Sequence, residues 1–299
     1  MLIRQIHSRD VDAVRELDAQ AFTPYFQRTG RGESCPVRSQ ESVLSCLARN
    51  PSGCFVAEDD SLVGYVFSRK WGTVGWIGTF GIHPSRQGQG IGRQLLDTTI
   101  KHLEDSKCTM IGLETMPDSP YNVGLYASAG FQPEFSTVLL CKEIDGEIQS
   151  PPFISLDEVE TDEGLAALSE ISSSAIPGLD YAIEAQNASD FGWGDTIFLG
   201  WPDPWACAIV KSQGTAVFAM AVVVRPEART RIDSVIEAIT AWAYTRGLTK
   251  ILLPVNTADW STLQWLIDNK FRVINVALRM MLRGSYGCPS GIDMSRWAM

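Results

Sequence analysis

The run QGQGIG, Gln87 to Gly92, follows a β-rich segment ending in His83-Pro84 and opens an amphipathic helix with Ile91, Leu95, Thr99 and Leu103 on one stripe. Glycines at a helix start free several backbone N–H groups, which makes an anion site suited to a phosphate. Two nucleotide loops built this way fit poorly. A P-loop needs Gly-Lys-Ser/Thr for phosphate and magnesium, and here Gly92 is followed by Arg93. A Rossmann fingerprint needs G-x-G-x-x-G; Gly88 and Gly90 match, but Arg93 stands at the third glycine. That fingerprint also follows the first strand of a βαβ unit, whereas this run follows the last of several consecutive strands. A plain glycine-rich turn is the bland alternative, although three alternating glycines weaken a helix start.

Outward from the run, the elements alternate in kind. Ile3 to Ile6 reads as a strand, followed by a helix carrying Val11, Val14, Leu17 and Phe22. Residues 23–40 are polar, basic and glycine-containing, which predicts an irregular loop, and a second helix then carries Val43, Leu44 and Leu47. CFVAEDD, SLVGYVFSRK and GTVGWIGTFGIHP are strand-like, with Asp59-Asp60 as the hairpin turn. After the amphipathic helix come the strand MIGLETM, a short helix at Val123 to Ser128 and the strand EFSTVLLCKEI.

The second half repeats this order with little shared sequence. A helix at Asp162 to Ser172 and a loop rich in Gly, Trp and Asp precede TIFLGWPD, WACAIVKS and GTAVFAMAVVVRP. A helix with Ile232, Val235, Ile236, Ile239 and Trp242 follows, then KILLPVN, STLQWLID and VINVALRMML. Gly72-Thr73 aligns with Gly214-Thr215 and Pro84 with Pro226 at an offset of 142, and Phe131 with Phe271 at 140. Shared order and near-constant offset predict tandem copies of one α/β (α+β) fold. The expected domains are residues 1–147 and 153–299, joined by a linker at 148–152 within EIQSPP.

Composition narrows the class. Hydrophobic content of 45% with 20% charged residues predicts sizeable cores rather than disorder. A net charge of −10 argues against nucleic-acid or anionic-membrane partners and favours cationic substrates only weakly. No apolar run approaches the roughly 18 residues of a membrane span, and MLIRQIHSRD lacks a signal-peptide core, so a cytoplasmic location is expected. Seven scattered cysteines without a C-x-x-C pair read as reduced thiols. With only His7, His83 and His102, no metal site is expected.

At these residues the chain resembles the GNAT superfamily of acetyl-CoA-dependent N-acetyltransferases. Gln87, Gly90 and Gly92 fill that family's first motif, and GTFGIHP resembles its fourth strand. YNVGLYASAGF, Tyr121 to Phe131, matches the second motif through its Leu-Tyr and Gly-Phe pairs. The resemblance covers residues 1–145 well and 150–285 in outline. It implies two tandem GNAT-like domains, each a mixed, mostly antiparallel twisted sheet flanked by helices.

The resemblance also implies a site. The fourth and fifth strands would splay, and the pantetheine arm of acetyl-CoA would lie between them against Phe80, Gly81 and Ile82. Gln87, Gly88, Gln89, Gly90, Ile91, Gly92 and Arg93 would wrap the pyrophosphate. Many relatives carry a cofactor-contacting asparagine where this chain has Ser119; Asn122 lies three residues further on, so either residue is a candidate. Tyr126 stands at the position of the general acid that protonates the CoA sulfur, and a packing aromatic is its alternative. Glu114, twelve residues earlier, stands where some members place a base; it equally fits a strand-end or substrate-binding carboxylate.

Tyr25, Phe26 and Arg28, with Arg31 and Glu33, are expected to border the acceptor site. The implied activity is acetyl transfer to a primary amine of a small molecule by direct attack in a ternary complex. Acetylation of a peptide amine and a non-catalytic CoA-binding module are the rivals. Monomer and homodimer both fit the sequence. The second half carries Arg229 to Ser234 where the glycine run would be, and Leu266 in place of Tyr126, so it reads as a degenerate copy. Its seven tryptophans (Trp193, Trp201, Trp205, Trp242, Trp260, Trp265, Trp297) suggest packing or substrate shaping, with Trp201 and Trp205 the better surface candidates.

Overall fold

The structure is a computed structural model and describes residues 1–146, 148 and 150–296. Glu147, which ends the first expected domain, Gln149 of the linker, and Trp297 lie outside the described residues. The first half runs β1 (Leu2–Gln5), α1 (Val11–Arg28), α2 (Gln40–Arg49), β2 (Phe55–Asp59), β3 (Ser61–Trp71), β4 (Val74–Ile82), α3 (Ile91–Asp105), β5 (Met110–Thr115), α4 (Pro120–Ser128) and β6 (Gln132–Glu143). The second runs β7 (Ile154–Ser155), α5 (Thr161–Ala175), α6 (Ala182–Asp190), β8 (Gly194–Leu199), β9 (Ala206–Gln213), β10 (Ala216–Val224), α7 (Ile232–Tyr244), β11 (Lys250–Asn256), α8 (Trp260–Asp268), β12 (Arg272–Arg283) and β13 (Ile292–Ser295).

All these strands share one sheet, ordered β1-β2-β3-β4-β5-β12-β6-β11-β10-β9-β8-β7, with β13 paired to β10. Pairing is antiparallel except for β4–β5 and β10–β11. The centre of the sheet is crossed over. β12 of the second half lies between β5 and β6, and β6 of the first lies between β12 and β11. Each half thus completes its sheet with the last long strand of the other.

Packing follows the sequence periodicity. α3 buries Ile91, Leu95, Leu96, Thr99 and Leu103, and its apolar members join Phe55, Val66, Ile111 and Leu113 in one core. Polar contacts also join the halves. Buried Glu184 accepts from Arg49 Nε at 2.6 Å and from Trp71 Nε1 at 2.8 Å. Among the described residues, no helix is long and apolar enough to cross a membrane.

Two expectations are corrected. The predicted loop 23–40 is helical through Arg28, although Pro24 sits inside α1 and supplies no N–H. Thr23 Oγ1 donates to the Ala19 carbonyl at 2.8 Å, next to the Gln20 carbonyl that Pro24 leaves without its helical donor, and Thr29 Oγ1 donates to the Tyr25 carbonyl at 2.8 Å. The tryptophan expectation also shifts. Trp201 is half-buried against a core shared by both halves and Trp205 against one built mainly by the second, because their turn folds back through a Trp205 N–H bond to the Leu199 carbonyl. Trp260, 61% exposed, is the exposed indole among the described residues.

Candidate functional site

β4 and β5 run parallel and pair only from Val74–Ile77 to Met110–Leu113. Beyond that point they part. The β3–β4 register slips between Val66/Phe80 and Ser68/Ile77, so Gly78 and Thr79 together oppose Phe67. Such a bulge bends its strand. Meanwhile Glu114 and Thr115, at the end of β5, pair with Arg279 and Leu278 of β12. A cleft of ≈ 510 Å³ opens here, lined by Gly78 to Phe80, Glu114 to Asp118, Asn122 and Tyr126. Gly81 and Ile82 continue β4 beside Tyr65 and Gly64 of β3, while Ser119 precedes α4 away from the cleft lining.

The glycine run leads into α3. Gly88 (φ 75°) and Gly90 (φ 78°) are left-handed, a conformation costly for other residues. A Cβ at either would meet nothing within 4 Å, so the loop's outer face is open. Ile91, Gly92 and Arg93 belong to the first turn of α3, whose N–H groups have no intrahelical acceptor. These donors and the helix dipole fit a pyrophosphate. Gln87 Nε2 donates to the Ile82 carbonyl at 3.2 Å and Gln89 Nε2 to the Ser85 carbonyl at 3.4 Å, tying the loop to its own base. The Arg93 side chain turns away, to Asp97 at 2.8 Å and to the Ser128 carbonyl at 3.0 Å, where it joins α3 to α4.

Tyr126 projects from α4 and is buried, its ring 6.5 Å from that of Phe80 and 6.1 Å from that of Phe131. Burial pushes its phenol above the ordinary 10.0, so it holds its proton throughout the neutral range. Glu114 sits in a fully buried ion pair. Its Oε1 accepts from Arg279 Nη2 at 2.7 Å, Arg279 Nε at 3.1 Å and Thr137 Oγ1 at 2.6 Å. Its Oε2 has no hydrogen-bond partner among the described residues. Burial alone would lower the Arg279 pKa; the charges of Glu114 and its neighbours overcome this, and the net direction is upward.

Around the acceptor end, Tyr25 and Phe26 line the cleft together with Phe22. Arg28 lies outside the lining; it donates to the Asp118 carbonyl at 2.9 Å and ties α1 to the β5–α4 connection. Asn275 to Ala277 of β12 and Arg296, just past β13, close the far wall.

The second half treats the same place differently. β10 and β11 pair from Ala216–Phe218 to Lys250–Leu252, and β13 then pairs with Ala221–Val224 of β10. At the 142-residue offset, Phe80 and Ile82 become Val222 and Val224, whose partners are Met294 and Ile292. The chain's own strand lies where the first half has an open gap. A 3-10 helix, Pro226–Arg231, runs directly into α7, with Ile232 at φ −61° in place of left-handed Gly90. Arg229, at the position of Gln87, donates to the Gly291 and Pro289 carbonyls and pairs with Asp259 at 2.7 Å.

Residues 11–131 match the acetyltransferase (GNAT) family. The chain is 30% identical over 136 residues to an uncharacterised N-acetyltransferase of Methanocaldococcus jannaschii, spanning 44% of this chain and 78% of that protein. The chain belongs to the GNAT acetyltransferase family. It is also 30% identical over 138 residues to a mycothiol acetyltransferase of Cellulomonas flavigena, across 42% of this chain and 38% of that protein. Solved structures share the fold over both halves. One from Pyrococcus horikoshii has a TM-score of 0.71 at 19% identity, covering 99% of this chain and 95% of its own. A tandem GNAT protein from the clavulanic acid biosynthesis pathway has a TM-score of 0.59 at 13% identity, covering 95% and 99%.

Within this GNAT cleft, sequence reasoning missed Phe22, Arg38, Asn275, Val276, Ala277 and Arg296, and also Arg279 behind Glu114. Phe22 sat on an expected helix and read as core. Asn275 to Arg296 belong to the other half, and no local pattern in the first half points to them.

Proposed function

We propose that this protein transfers acetyl from acetyl-CoA to a primary amine of a small molecule, by direct attack in a ternary complex held in the first half. The observation that carries this reading is the parted end of β4 and β5, with the open left-handed glycines at one side and a buried phenol at the other. Bound there, acetyl-CoA supplies a thioester whose C–S bond breaks as the C–N bond of the amide forms. The main chain of Gly78 to Ile82 is free of β5 and can pair with an extended arm. Tyr126, kept neutral by burial, donates its proton to the departing sulfur. Glu114, whose side chain is fully buried against Arg279, fixes the wall behind the cleft, and the proton that the amine loses passes to solvent, which reprotonates Tyr126. No cysteine lines the cleft among the described residues, which favours direct attack over an acyl-enzyme.

The second half binds no acetyl-CoA on this reading, because β13 fills the corresponding gap and a continuous helix replaces the loop. Isothermal titration of the intact chain should return one acetyl-CoA per chain. Tyr126→Phe should retain that binding and lose turnover, followed by CoA thiol release with an amine panel, by about 10²–10⁴-fold. An unchanged kcat in Tyr126→Phe removes the acid role, and two bound acetyl-CoA molecules per chain would exclude a plugged second half.

A further inference from the structure

The charges around the cleft fall into two groups. Arg38 is held by Asp18 at 3.3 Å and donates to Thr79 Oγ1 at 2.9 Å. Arg28 and Asp118 answer each other at 3.8 Å, and Arg279 answers Glu114. Arg31 and Arg296 also line the cleft, and neither has an ion-pair partner among the described residues. Arg31 stacks over the Tyr25 ring with its guanidinium carbon 5.1 Å from the centroid, which holds the group at the wall. Arg296 follows β13 immediately, and β13 is fixed by pairing to β10 and by buried Asp293, which accepts from Tyr181 at 2.9 Å and Tyr286 at 2.8 Å. Uncommitted guanidinium groups in one cleft are conspicuous in a chain of net charge −10. Glu114 adds no free charge here, because its side chain is fully buried against Arg279.

Resting on the acetyl-transfer reading above, we infer that the acceptor is an amine that also carries an anionic group, a carboxylate or a phosphate. Its amine lies at the parted ends of β4 and β5, and its anion is received by Arg31 and Arg296. The second half therefore supplies part of the acceptor site: the strand that plugs its own gap carries Arg296 to the first half's cleft.

The test compares matched acceptors on the intact enzyme: amino acids against their amides, and phosphate-bearing amines against the corresponding alcohols. Turnover is followed by CoA thiol release. Anionic members should have the lower KM. Arg31→Gln and Arg296→Gln should each raise KM for them by roughly 10–100-fold, the scale of one lost charged hydrogen bond. KM for the uncharged partners and the affinity for acetyl-CoA should stay within about twofold on the same scale. A preference for the carboxylate series or for the phosphate series fixes which anion is used. Equal or better use of the uncharged partners, or variants that raise both KM values alike, overturns the inference while leaving acetyl transfer intact. Thiol release with none of the amines, despite bound acetyl-CoA, overturns both.

Discussion

Arg279 and Glu114 form a pair whose side chains are both fully buried, and Thr137 is the other donor to the shared oxygen. Taking one partner away leaves an uncompensated charge in a desolvated place, which is far costlier than the pair is worth. Arg279→Met should therefore destabilise the protein by about 3–5 kcal/mol in urea unfolding, and Glu114→Gln placed on top should recover a large part of that loss. A near-neutral single variant would mean that water reaches the pair. At this scale the sequence was uneven. Tyr126 and Asn122 line the cleft, and YNVGLYASAGF marks both as candidates because it is a local pattern. Arg279 was not, because it stands 165 residues from Glu114 in a strand that pairs with the other half. Nothing near Glu114 in sequence signals that its carboxylate is already engaged.

The glycine run shows how an element can be read from a few residues. Gly88 and Gly90 need left-handed backbone, and both hold it in the structure. With nothing within 4 Å of a Cβ at position 90, the penalty of Gly90→Ala comes from the backbone, roughly 1–2 kcal/mol. Relief of that strain would move the first-turn N–H groups, so the variant should weaken acetyl-CoA by about tenfold while lowering the melting temperature only slightly. Calorimetric titration beside a thermal melt separates the two effects; an unaltered affinity would mean that the loop does not touch the pyrophosphate. Other elements carried weaker signals. The last turns of α1 were hidden by Pro24 and by a polar, basic composition, although Tyr25 and Phe26 face the cleft from helical positions. β13 is only Ile292–Ser295, and no pattern in GIDMSR announces a strand that completes another strand's edge.

At the level of the whole molecule, the tandem order was legible from matched punctuation, while the crossing of the halves was not. An offset of 142 residues aligns elements within each copy and is silent on which copy's strand they pair with. In the structure β12 is bonded to β5 along Leu278–Arg283 and to β6 along Arg272–Met281. Opening either half therefore strips a central strand from the other, and the Arg49–Glu184–Trp71 contact is broken with it. Two halves connected only by a linker would melt separately; halves that share their central strands lose both cores together. We expect a single transition in urea, coincident by far-UV circular dichroism and by fluorescence. The fluorescence probe is informative because Trp71 and Trp76 sit in a core built from both halves and Trp242 in one built mainly by the second, all of them buried. Saturating acetyl-CoA binds the first half alone on our reading, yet by linkage it should raise the midpoint of the whole transition, the second half included. A fluorescence curve that splits in two on adding acetyl-CoA, with one limb unmoved, would show that the crossed strands do not couple the halves.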